Sequence, residues 1–126
     1  MTNVERALLD LGFDNSLTGT NIIARAVGFV VDDPSAARSA IQEAYIPAAM
    51  ELYGEDDQFR ISRNVNYAIR KATLDGNFGR RCEKLEKKWG AEGLFGLVIT
   101  DNGGIVPKKL IVKLAALLGD AWNKEA

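Results

Sequence analysis

The chain contains no histidine and a single cysteine, Cys82. The first absence removes Ser/His and Cys/His nucleophile pairs and cysteine–histidine zinc sites, and the second removes any intrachain disulfide. No GxxxxGK[ST] or GxGxxG motif occurs, and Gly103-Gly104 lacks the following lysine or helix-opening pattern that a phosphate loop needs. Long apolar runs are missing too. Runs such as Ala26 to Val31 are far too short to cross a bilayer, and Glu5 and Asp10 do not suit a signal or transit peptide. These absences point away from an enzyme, a cofactor, a metal or a membrane, and toward a cytoplasmic binding module. With 126 residues, 47% hydrophobic and 26% charged, the chain has the size and composition of one globular domain, residues 1–126.

A net charge of −1 excludes a uniformly basic nucleic-acid binder but conceals a strong asymmetry. Residues 1–59 carry 3 basic and 10 acidic side chains, net −7, whereas residues 60–88 carry 9 basic and 3 acidic, net +6. The remainder balances. The middle segment therefore carries a positive field suited to a polyanion, and the acidic remainder opposes loose adhesion. A solvated basic helix face is the alternative reading of the same cluster.

Apolar spacing predicts an all-α chain with six helical patterns. Val4, Ala7, Leu8 and Leu11 share one face of a first helix that ends at Gly12. Thr20 is placed to cap a second, with Ile22, Ile23, Ala26, Val27, Val30 and Val31 in a broad apolar stripe. Asp33 and Pro34 suit the start of a third, which Pro47 should kink or divide. The polar turn Gly54-Glu55-Asp56-Asp57 separates it from a fourth helix over about 58–74. Phe78, Cys82, Leu85 and Trp89 mark a fifth, with Cys82 in the apolar stripe and so a buried reduced thiol. Asp101-Asn102-Gly103-Gly104 between two β-branched runs signals a small hairpin near residues 97–106, and Pro107 opens a last helix. The pairs Asp32-Asp33 and Asp10 with Asp14 read as caps and solvated carboxylates rather than as metal ligands.

On a wheel of about 100° per residue, Ile61, Val65, Ala68, Ile69 and Ala72 gather on one side of the fourth helix. Arg60, Arg63, Asn66, Tyr67 and Arg70 gather on the other. Arginine forks suit phosphates or guanine edges, an asparagine amide suits adenine, and the tyrosine adds an aromatic hydroxyl. That is the chemistry of a major-groove recognition helix. With Ser62 and Lys71, these residues form the candidate DNA-reading set. Arg80, Arg81, Lys84, Lys87 and Lys88, on the fifth helix, are candidate phosphate contacts.

Leu11-Gly12-Phe13, Leu17-Thr18-Gly19, Asp32-Asp33, Ile46-Pro47, Arg60-Ile61-Ser62-Arg63, Ala68-Ile69, Gly76-Asn77, Phe95-Gly96 and Pro107 follow one another in a definite order. In that order and spacing the chain resembles the C-terminal DNA-binding effector domain of the stage-zero sporulation response regulators. The resemblance implies a bundle of about six helices in which the third and fourth form a helix-turn-helix and the fourth enters the major groove. Of the family's recognition positions, Arg60 and Arg63 keep arginine. Ser62 stands in place of an acidic residue, Asn66 of an arginine and Tyr67 of a histidine, so the family's usual target sequence does not carry over. The turn before the helix is longer and more acidic here, and a basic segment is inserted between Gly76-Asn77 and Phe95.

A chain of 126 residues starting at Met1 leaves no room for the receiver domain that accompanies this domain in the family, so control by aspartyl phosphorylation is not expected. The expected function is that of a stand-alone, sequence-specific transcriptional regulator. Its expected partner is double-stranded DNA, with a homodimer on DNA compatible with the family pattern. The alternative is a protein-interaction module of the same fold that binds another regulator and not DNA.

Overall fold

The computed structural model describes residues 1–96 and 105–126, and among these the chain is all-α. Helix α1 spans Asn3–Asp10, α2 Thr18–Asp32, α3 Ile46–Tyr53, α4 Gln58–Thr73, α5 Phe78–Trp89 and α6 Pro107–Leu118. Short 3₁₀ segments cover Pro34–Ser39 and Gly119–Ala121, and a π-helical turn covers Ile41–Tyr45. The expected helices are thus present, the fourth and fifth within a residue of their predicted limits. Of the hairpin expected near residues 97–106, residues 97–104 lie outside the described residues.

Helix α1 starts in a capping box: the Glu5 N–H donates to the Thr2 hydroxyl (3.3 Å), and the Thr2 N–H donates to the Glu5 carboxylate (2.8 Å). It buries Val4, Ala7 and Leu8. An Asx turn follows, in which the Ser16 N–H and hydroxyl both donate to Asp14 (2.9 and 2.6 Å), and it delivers the chain to Leu17. Helix α2 therefore begins at Thr18, two residues before the expected cap. Thr20 does not cap it: the side chain is buried within the first turn and its hydroxyl has no partner among the described residues.

Helix α2 is the core element, packing most extensively against α4 and α6, with α3 and α1 alongside. Ile22, Ile23, Ala26, Val27 and Val30 are all buried, and full burial of an isoleucine or valine contributes about 1.5–3 kcal/mol. The crossing with α4 is made backbone to backbone. A Cβ on Gly19 would lie 1.9 Å from the Asn64 carbonyl oxygen and 3.1 Å from the Ala68 side chain. Only glycine admits that approach.

The third helix is divided, as Pro47 implied, but the division falls before the proline. Pro47 lacks an N–H, and its ring would strike the carbonyl four residues earlier, that of Glu43, in an unbroken α-helix. The π turn widens the chain here, and the Ile46 N–H bonds to the Ile41 carbonyl five residues back. The Tyr45 side chain, fully buried in the same turn, donates its hydroxyl to the Pro107 carbonyl (2.8 Å) and so ties this turn to the start of α6. Burial pushes that hydroxyl's pKa well above the usual tyrosine range.

The two chain ends lie together. The Asn3 N–H donates to the Lys124 carbonyl (2.8 Å), the Val4 N–H to that of Trp122 (2.9 Å), and the Ala126 N–H to that of Met1 (3.0 Å). Trp122 packs on Gly28 of α2, where a Cβ would come within 2.4 Å of the indole. The Arg25 guanidinium lies 4.3 Å from the Phe29 ring centre and 5.4 Å from that of Trp122, and it pairs with Glu51 of α3.

Gly19→Ala is expected to cost on the order of 3 kcal/mol, because two backbones must separate to admit one methyl group. Urea unfolding measures it. A variant with the parent midpoint would place the α2–α4 crossing elsewhere.

Candidate nucleic-acid interface

Asp57 starts α4, its carboxylate accepting from the N–H groups of Phe59 (2.9 Å) and Arg60 (3.3 Å). Gly54, left-handed at φ 65°, ends α3 three residues before Asp57, so α3 and α4 are joined by the tight turn 54–57. Burial of Ile61, Val65, Ala68, Ile69 and Ala72 against the core fixes the rotation of α4. The opposite face is thereby left outside.

Arg60, Arg63, Asn66, Tyr67, Arg70 and Lys71 are all exposed on or beside that face, as the wheel predicts. Ser62 stands at its edge. It is half-buried and lines a cleft of about 60 Å³ with Ile41, Tyr45 and Pro107. Arg60 reaches back to Glu55 (3.5 Å), and Lys71 lies 3.9 Å from Asp14 and 6.0 Å from the Tyr67 ring centre. Hydrogen bonds from Ser16, ahead of the charge of Lys71, hold the Asp14 carboxyl below its usual range. Among the described residues no carboxylate stands within ion-pair reach of Arg63 or Arg70. The acidic turn is partly neutralised where it stands: Asp57 is occupied by the helix cap and Glu55 by Arg60, so Asp56 alone of the three carboxylates has no partner among the described residues.

The cations of α5 divide into two groups. Arg81 donates to Asp75 through both ends of its fork, one contact at 3.0 Å, and to the Ala72 carbonyl at the end of α4 (3.3 Å). Its guanidinium also covers Gly12, where a Cβ would lie 2.9 Å from Nη1. Lys88 pairs with Asp10 of α1 (3.1 Å), which also takes Arg6 (3.3 Å). Arg81 and Lys88 thus hold α5 to its neighbours. Arg80, Lys84 and Lys87 point outward on one helical stripe, with no carboxylate in ion-pair reach among the described residues.

Cys82 lies on the inner side of α5, buried, its thiol pushed up to about 12 by burial first and then by the charges of Glu86 and Glu83. At neutral pH it is a protonated core side chain. The buried Glu86 carboxylate accepts from the Phe95 N–H (2.6 Å), which folds the chain after α5 back onto it. Asp10, Asp14 and Asp33, weighed above as caps, serve an ion pair, an Asx turn and the 3₁₀ segment at Pro34 respectively.

Two residues of the α4 face escaped the sequence reading. Phe59 is 82% exposed and Leu74 80%, the most exposed large apolar side chains among the described residues. Both fall within about 40° of Arg63 on the helical wheel. An apolar residue on the polar side was the available signal. Comparison with protein-family models, with curated proteins and with solved structures gave no match.

The Arg81 fork holds the Asp75 carboxyl down at about 2, helped by the Asn77 N–H. This link between α4 and α5 is therefore intact at neutral pH and is lost only as the pH falls toward that value. In an NMR titration Asp75 is expected to turn over near 2 in the parent, and Arg81→Met to return it toward the ordinary 3.8. An Asp75 midpoint unmoved by the substitution would dissociate the pair.

Proposed function

We propose that this protein is a sequence-specific DNA-binding regulator in which α3, the turn 54–57 and α4 act as a helix-turn-helix. In this reading α4 lies in the major groove, and the outward stripe of α5 contacts phosphates. The observation that carries the reading is the segregation of cations. Those in the middle of the chain either pair with nearby carboxylates or stand outward on two helical stripes, and Arg63 and Arg70 stand on the same face as Asn66 and Tyr67. A solvated face has no need of that mixture, whereas a groove-reading face needs both cations for phosphates and forked or amide groups for base edges. The order of helices implied by the resemblance to the sporulation effector domains supports the same assignment. A homodimer on a two-fold operator is the arrangement such modules commonly adopt.

A second reading is favoured by one specific observation: Phe59 and Leu74 leave two apolar side chains open on the α4 face. In that reading the face meets another regulator rather than DNA.

Selection from a random duplex library tests the first reading against the second. An enriched motif is expected, with affinity falling steeply and log-linearly with salt. On the selected site Arg63→Ala should cost about 1–3 kcal/mol and relax the preference at one position. Lys84→Ala should weaken selected and scrambled duplexes alike and flatten the salt slope by about one unit. Failure to enrich any motif would transfer the face to a protein partner.

A further inference from the structure

The stripe on α4 begins with a side chain that can make no hydrogen bond. Phe59, Arg63, Asn66 and Arg70 recur at four, three and four residues and so stand in line on the exposed side. Phe59 is first in that line, 82% exposed, and its backbone is fixed by the Asp57 cap at 2.9 Å. The ring packs on nothing that would explain an apolar residue there, and its position is set by the helix rather than by a loop.

We infer that Phe59 is a specificity-determining residue that reads the 5-methyl group of thymine at the edge of the major groove. The inference rests on the DNA-binding reading of α4. It follows from elimination: thymine alone presents a methyl group in the major groove, whereas guanine, adenine and cytosine are told apart there by their hydrogen-bonding groups. A phenyl ring has neither donor nor acceptor for the former and good contact with the latter. Placement agrees. The first turn of a recognition helix is the part that reaches base edges, and Phe59 lies about 6 Å along the axis from Arg63, close to two base-pair steps. The charge around it is mixed: Glu55, Asp56 and Asp57 precede the ring, with Glu55 paired to Arg60 and Asp57 held by the helix cap, while Arg63 stands one turn further on with no carboxylate in ion-pair reach among the described residues. Phe59 thus gives the open apolar end of this face an occupant without a protein partner.

The test is a two-by-two comparison on the selected duplex, with the parent and Phe59→Ala each measured on the thymine site and on the same site with deoxyuridine at each thymine in turn. Loss of one methyl contact at a single position should weaken the parent about fourfold, while Phe59→Ala should bind both duplexes equally. The substitution removes an exposed side chain from a helix that alanine favours, so unchanged thermal unfolding serves as the control. Equal weakening of both proteins by deoxyuridine, or no effect on the parent at any thymine, would overturn the inference and leave the DNA-binding reading standing. Absence of any selected duplex would remove the DNA-binding reading itself, and this inference with it.

Discussion

The contact on which the rest of the structure depends is the one between Gly19 and the carbonyl of Asn64. Two helix backbones meet there with no side chain between them, and that closeness lets α4 lay Val65, Ala68, Ile69 and Ala72 into the core beside α2. Close-packed interiors leave little freedom to rotate a helix once such a row is seated. The outward direction of Arg63, Asn66, Tyr67 and Arg70 is therefore a consequence of what the inner face must bury. A one-residue rotation of α4 would bury an arginine and expose Ile61 or Ile69, which no compensation nearby could offset.

Electrostatics then refines what packing decides. The acidic first half and the basic middle of the chain are joined through Asp10 with Lys88 and Asp14 with Lys71, while Arg81 closes on Asp75 within the middle itself. Each is a surface pair screened by solvent on at least one side, so together they guide the seating of α5 more than they stabilise it. Their larger effect is selective. They withdraw cations from the surface beside α1 and leave the outward charge on α4 and on the Arg80–Lys84–Lys87 stripe.

Much of the architecture was legible in the residues, because helical spacing is a local property. Phe78, Cys82, Leu85 and Trp89 define α5 unaided, and Ile61 to Ala72 define the buried face of α4. What was not legible depends on contacts distant in sequence. Thr20 has the chemistry of a cap, and nothing near it announces that Gly19 must already be helical to meet Asn64. Pro47 told of an interruption but not of the π turn, which also serves the bond from Tyr45 to Pro107, 62 residues on. In the candidate interface, residue types were readable as a stripe, but their commitments were not. Arg81 and Arg80 look alike in sequence, yet only the fold brings Asp75 and the end of α4 to the first of them.

The pairing of the two chain ends has a topological meaning. With Thr2 laddered to Glu125 and the Ala126 N–H on the Met1 carbonyl, the path of the backbone is almost a closed ring. Joining the ends through a few residues would remove little more freedom than folding already removes. The order in which the helices occur along the chain is then separable from their arrangement in space, and the bundle is a natural frame for circular permutation, with new ends cut at an exposed turn such as Gly90.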